Sequence, residues 1–168
     1  MTNMSIWLDE LLKKWKKGGK DSQGQQYRAV ELETASGQNP GSVLCNEIGF
    51  YIDLVADGDE DFVILKSSDG FLQFYGVEDS FIAEMRINYG NKDFRTFTFI
   101  NREKKNALER ITLETPYGSY TPMERDVLTY EQLKDIVRNY YMCLNPEEFL
   151  EKTDWVETTE ETKRYMRG

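Results

Sequence analysis

The chain of 168 residues contains no histidine. That absence removes the usual general base, the usual proton shuttle and the commonest zinc ligand together, so neither a Ser-His nor a Cys-His nucleophile can be assembled within it. Its two cysteines, Cys45 and Cys143, lie far apart and outside any C-x-x-C pairing. They read as free, partly buried thiols, and with carboxylates as the only other ligands they would make a poor zinc site. No G-x-x-x-x-G-K-[ST] loop and no strand-borne G-x-G-x-x-G turn is present to cradle phosphates. The sequence therefore predicts no catalytic residue, no metal and no cofactor. Carboxylate pairs of the kind that cleave glycosides stay formally open, because 30 Asp and Glu guarantee neighbours in space and spacing in sequence does not give their separation.

Two groups of residues could instead contact a partner. The acidic run Asp57, Asp59, Glu60 and Asp61 lacks the spacing and the distal glutamate of a calcium loop. It reads as a solvated hairpin tip or as an anionic surface that steers a basic partner. The second group is Pro116-Tyr117-Gly118-Ser119-Tyr120-Thr121-Pro122. Tyr117 and Tyr120, in a loop stiffened by flanking prolines, offer large amphipathic contact area at low entropic cost, or they pack over a sheet edge.

A formal net charge of -9 argues against nucleic acid, which is bound through accumulated Lys and Arg, and favours a cationic partner. The first 20 residues run the other way, with five lysines against Asp9 and Glu10. Lys13, Lys14, Lys16 and Lys17 fall in the last turn of a first helix, where cations complement its carbonyl end.

The elements that must position these groups begin with that helix. Ser5 caps it, Trp7, Leu8, Leu11, Leu12 and Trp15 recur at helical spacing, and Gly18-Gly19 ends it. Residues 18–26 have linker composition, a short strand is expected at 27–33, and residues 34–42 read as a loop. From Val43 the period becomes two. Phe50, Ile52 and Leu54 alternate as a strand, then come strands at 62–66 and 71–75 joined through Asp69-Gly70, a pair that suggests a type I′ turn. Strands over 81–89 and 94–100 follow, with a shorter one at 111–114.

Thr129 with Gln132 forms a capping box for a helix whose face is Leu133, Ile136, Val137, Tyr140, Tyr141 and Leu144. Asn145-Pro146 stops it, and Pro146 can open a second short helix as its first residue. The expected fold is α+β: an antiparallel meander of about five to seven strands packed by a C-terminal amphipathic helix, with an N-terminal helix. One domain accommodates the whole chain, divided into an N-terminal extension over 1–42, a core over 43–156 and a polar, fraying tail over 157–168. No window approaches a membrane span, and the N-terminus lacks the order of a signal peptide. A cytoplasmic location is expected.

The closing helix with its aromatic end Tyr140-Tyr141, then Pro146 and a downstream Trp155, set behind a meander, resembles the polymorphic-toxin immunity proteins of bacteria known as immunity family one. The resemblance spans about residues 48–156. It implies a small cytosolic protein that binds and neutralises a secreted toxin domain, frequently a nuclease or deaminase, and it carries no catalytic residues. The leading expectation is thus an inhibitor that covers a cationic toxin domain as a monomer or weak dimer, binding neither nucleic acid nor membrane. A nucleic-acid-mimicking inhibitor from a phage or mobile element is the alternative, and a carboxylate-based enzyme the third reading.

Overall fold

The computed structural model describes residues 19–20, 26–90 and 92–168. The predicted N-terminal helix over 5–17 lies outside them, as does the middle of the expected linker. The described ends of that linker pair with each other, β1 (Gly19–Lys20) against β2 (Gln26–Tyr27).

β3 (Glu31–Thr34) and β4 (Gly41–Ser42) precede helix α1 (Ile48–Ala56). The meander is β5 (Phe62–Ser67), β6 (Gly70–Val77), β7 (Ser80–Gly90) and β8 (Asp93–Phe99). A separate hairpin, β9 (Leu113–Thr115) and β10 (Gly118–Tyr120), comes next. Helix α2 (Tyr130–Met142), helix α3 (Pro146–Glu151), strand β11 (Trp155–Glu157) and helix α4 (Thr159–Arg167) complete the chain. The main sheet has seven antiparallel strands in the order β11-β8-β7-β6-β5-β3-β4. Its α+β class and meander agree with the sequence reading.

Alternation decides which face is buried. Val63, Leu65, Leu72, Phe74, Phe81, Ala83, Met85, Phe97 and Phe99 all turn to one side and form a single core with side chains of α1, α2 and α3. Each such large side chain contributes on the order of 1.5–3 kcal/mol by leaving water. The capping box of α2 is present as predicted: Gln132 N–H donates to Thr129 Oγ1 at 3.3 Å, and Thr129 N–H to Gln132 Oε1 at 3.0 Å. Pro146 opens α3 at its first turn, capped by Asn145, which accepts from Glu148 N–H at 2.8 Å. Trp155 lies in the edge strand opposite Phe99, meets the Phe97 ring edge-on at 5.0 Å, and donates from Nε1 to the Leu150 carbonyl at 3.0 Å. It ties the sheet edge to α3.

Four local expectations are corrected. The segment containing Phe50, Ile52 and Leu54 is helical, and its buried residues are Ile48, Ile52 and Val55 at i, i+4 and i+7. Phe50 is left 62% exposed. The β5–β6 turn is real, yet Ser67 pairs with Gly70, so Ser68 and Asp69 are its central residues and neither has positive φ. It is not type I′. Leu144 falls beyond the end of α2 and is exposed. Residues 157–168 are not a fraying tail: α4 docks across β8, where Thr159 Oγ1 accepts from Thr96 N–H at 3.1 Å and the Thr96 and Thr162 hydroxyls lie 2.9 Å apart. No helix among the described residues is long and apolar enough to cross a membrane.

A buried arginine fastens the start of the described chain. Arg28 Nε donates to the Cys143 carbonyl at 3.0 Å, Nη1 pairs with Asp69 at 2.9 Å, and the guanidinium lies 4.5 Å over the Tyr140 ring. The Tyr140 hydroxyl is itself 2.9 Å from Ser67 Oγ.

Candidate partner-binding surface

The two groups singled out from sequence, far apart in the chain, meet in space. Tyr117 donates from its hydroxyl to the Gly58 carbonyl at 2.8 Å, and Tyr120 donates to Asp61 Oδ1 at 3.3 Å. Tyr120 also packs on Tyr75 of β6, ring centroids 4.9 Å apart. The β9–β10 hairpin is thereby pinned over the outer face of the sheet and against the loop that follows α1. Tyr117 keeps about half its surface, 49%, in solvent.

Gly58 makes this approach possible. Its φ of +80° favours glycine, and a Cβ there would stand 2.7 Å from Pro116 Cγ.

The acidic run is not a hairpin tip. It follows the C-terminus of α1, where Asp57 N–H donates to the Asp53 carbonyl and the amides of Asp59 and Glu60 donate to the Leu54 carbonyl. Asp57 and Asp59 face solvent and Asp61 is half-buried. Glu60, expected among the contacts, points inward instead. It is 4% exposed, and its carboxylate accepts from both the backbone N–H and the hydroxyl of Ser36. Burial pushes the Glu60 carboxyl up, but the hydrogen bonds from Ser36 and Thr34 outweigh it and hold the group below the usual glutamate range. Glu60 anchors the loop and leaves the surface to Asp57, Asp59 and Asp61.

Three further acids join them. The β6–β7 turn carries Glu78 and Asp79 to this end of the sheet, with Glu78 N–H donating to the Ala56 carbonyl at 2.8 Å. Asp79 accepts from Tyr130 N–H at 2.6 Å, and Asp53 accepts from the Tyr130 hydroxyl at 2.7 Å. That hydrogen bond, then burial, pushes the Tyr130 phenol up to about 12. Burial, followed by the Asp61 charge, raises the Tyr120 phenol as well. The exposed Glu78-Asp79 pair could have been read from the sequence as a turn between two strands, but only the fold brings it beside Asp57.

This gathering costs stability. No basic residue occupies the last turn of α1, and the carbonyl end of a helix disfavours carboxylates by about 0.3–1 kcal/mol each. Asp53 and Asp57 add an unfavourable like-charge pair at i, i+4. Among the described residues, Asp53, Asp57, Asp59, Asp61, Glu78 and Asp79 make no salt bridge that would offset this cost, as Arg95 does for Glu157.

A polar layer lies under the same outer face. Gln73 donates to Glu84 at 3.0 Å, and Glu84 and Asp126 both have raised carboxyls. For Glu84 burial leads, with the Asp126 charge adding to it; for Asp126 burial outweighs Arg125 and its hydrogen bonds. Among the described residues no group of three or more Cys, Asp or Glu side chains is arranged to hold a metal ion. The cleft between α2 and the segment leading to β11, lined by Gln132, Asp135, Asn139, Lys152 and Asp154, holds about 240 Å³ and is separate from the tyrosine surface. What the arrangement at the acidic end offers is a rigid, aromatic-bearing anionic surface. Comparison with protein-family models, with curated proteins and with solved structures finds no match to this chain.

Proposed function

We propose that this protein is a cytoplasmic inhibitor of the immunity type, which binds a basic toxin domain through the acidic end of its sheet and the β9–β10 hairpin. The observation that carries the reading is the gathering of six carboxylates around the end of α1 and the β6–β7 turn, beside a tyrosine hairpin held in place by Gly58 and Asp61. Local stability is lowered to keep negative charge at a helix C-terminus, and a cationic partner offsets that penalty on binding. The carboxylates attract and orient the partner from a distance, and Tyr117 supplies an aromatic anchor in the contact. Blocking follows from coverage of the partner's active site and needs no chemistry from this chain.

These six acids gather around one helix end and one turn, a compact patch that favours an inhibitor of a compact basic domain over a mimic of duplex nucleic acid. The test is co-purification and calorimetry with the toxin domain encoded immediately upstream. Binding that weakens steeply with salt, together with protection of cells expressing that toxin, supports the reading. No complex at low salt and no protection overturns it.

A further inference from the structure

The other end of β7 carries charge of the opposite sign. The strand runs eleven residues from the β6–β7 turn, with Glu78 and Asp79, to the β7–β8 turn, which sets the two turns about 35 Å apart. α4 points at the second turn. Its Thr159 accepts from Thr96 N–H in the middle of β8, and Lys163, one turn on, reaches Asp93 at the start of β8 at 3.9 Å and stands 5.5 Å over the Phe94 ring. Arg164 and Arg167 follow in the last turn of the helix.

Arg86 lies over the same Phe94 ring at 3.8 Å, and exposed Lys92 sits in the turn itself. The carboxylates that meet these cations are Asp93, at Lys163, and Glu157, which is taken by Arg95. The end is net positive. Large side chains on the same elements are bare: Tyr165 is 89%, Met166 61% and Tyr89 48% exposed. Tyrosine, methionine and arginine are residues that protein contacts favour.

We infer that this basic end is a self-association surface whose occupant is the acidic patch of a second copy of the chain. Charge complementarity carries the argument. The patch around the end of α1 presents exposed Asp57 and Asp59 beside half-exposed Tyr117, and the basic end presents exposed Arg164 and Arg167 beside Tyr165. Each supplies what the other takes: carboxylates for the two guanidinium groups, and a guanidinium for the Tyr117 ring. The two surfaces differ and lie at opposite ends of β7, so the contact is heterologous. It leaves one acidic and one basic end free on every pair, and further copies add head to tail. A basic toxin competes for the same carboxylates, yet the contact itself needs no toxin, so the two readings stand or fall by separate experiments.

Analytical ultracentrifugation of the full chain tests the contact. The weight-average mass is expected to rise with protein concentration at about 0.02 M salt and to stay that of one chain at about 0.5 M, where screening is short-ranged. Two double variants then separate the ends: Arg164→Gln with Arg167→Gln, and Asp57→Asn with Asp59→Asn. All four side chains are exposed, and the far-ultraviolet spectrum is expected to stay unchanged. Each variant alone is expected to remain monomeric where the wild type associates. An equimolar mixture of the two restores one intact acidic end facing one intact basic end, and is expected to reach about twice the mass of either alone and to grow no further. One-chain mass for the wild type at every concentration in low salt overturns the inference. So does association that persists in either variant, or a mixture that stays monomeric. A monomer that instead binds phosphatidylglycerol vesicles through Arg164 and Arg167 overturns it as well, and assigns the basic end to a membrane surface.

Discussion

The Tyr117 hydroxyl donates to the Gly58 carbonyl across 59 residues of sequence at 2.8 Å, and that bond joins a surface hairpin to the end of a helix. Tyr117→Phe keeps the ring and removes the tie. Stability is expected to fall by about 1 kcal/mol, with amide exchange accelerating over 113–120 more than in β6. Gly58→Ala is expected to be harsher, about 1–2 kcal/mol, because it combines strain at φ +80° with a Cβ 2.7 Å from Pro116 Cγ. Equal exchange in hairpin and sheet for both variants would show that the tie does not hold the hairpin.

Asp57→Asn and Asp59→Asn should separate binding from folding. Both side chains are exposed at the carbonyl end of α1, so removing their charge is expected to leave stability unchanged or to raise it by about 0.3–1 kcal/mol each. The association rate with the basic partner is expected to drop several-fold at low ionic strength. The difference between wild type and variants should vanish near about 0.5 M salt, where screening is short-ranged. Stopped-flow association across a salt series measures it, and rates independent of both substitutions would remove these two carboxylates from the contact.

Glu60 predicts a loss in acid. Its carboxyl is held below the ordinary range by Ser36 and Thr34 despite burial, so the ionised form contributes stability above the unfolded pKa of about 4.3. That contribution is lost as pH falls through the lower, folded value. Glu60→Gln is expected to cost about 1.5–3 kcal/mol at pH 7, and the gap from wild type should close in strongly acidic urea titrations. A gap that stays constant with pH would mean that the charge of Glu60 is irrelevant to its anchoring.

Glu84 carries the opposite sign. Burial and the Asp126 charge raise its carboxyl, so the protonated form is favoured in the folded protein. Its contribution is fully present below the unfolded pKa and lost as pH rises through the folded value. Glu84→Gln retains a partner for Gln73 and is expected to raise the melting temperature at pH 7 to 8. The gain should shrink towards pH 4; a gain that grows on acidification would contradict the assignment.

Arg28→Ala leaves the Cys143 carbonyl without its side-chain donor and takes the cationic partner from half-buried Asp69, which keeps only the Ser67 hydroxyl. The expected loss is about 1.5–3 kcal/mol, as for hydrogen bonds to a charged group. Arg28→Lys should recover little of it, because an ammonium cannot serve the carbonyl, the carboxylate and the Tyr140 face together. Urea denaturation decides this, and near-wild-type stability of the lysine variant would reduce the site to simple charge pairing.

The elements that read most clearly from sequence were those in which local rules and tertiary packing agree. Thr129, Gln132 and Pro146 do in the structure what their spacing dictates, and the meander follows from the alternation that dominates 62–77 and the apolar runs of β7 and β8. α1 was misread because Ile52 belongs to two patterns: it alternates with Phe50 and Leu54, and it also follows Ile48 by four residues. In nine residues the two periods are hard to separate, and burial against β5 and β6 selects the helical one. α4 was missed because its inward residues are threonines that bond to Thr96, which hydrophobicity does not register. Its signature was present in another form, with Glu160 and Glu161 in the first turn and Arg164 and Arg167 in the last. At the candidate surface the residue types were legible and their union was not. Nothing local to Pro116-Tyr117 names Gly58, and nothing in the acidic run says that Glu60 alone turns inward to Ser36.

Arg28 has a consequence for the order in which the molecule is completed. Its acceptor carbonyl on Cys143 is 115 residues downstream and its carboxylate partner on Asp69 is 41 downstream. On the ribosome Arg28 emerges before both of its partners, and its latch does not exist until α2 has been synthesised and has ended. A segment made early is thus fastened late, by the residue that follows α2.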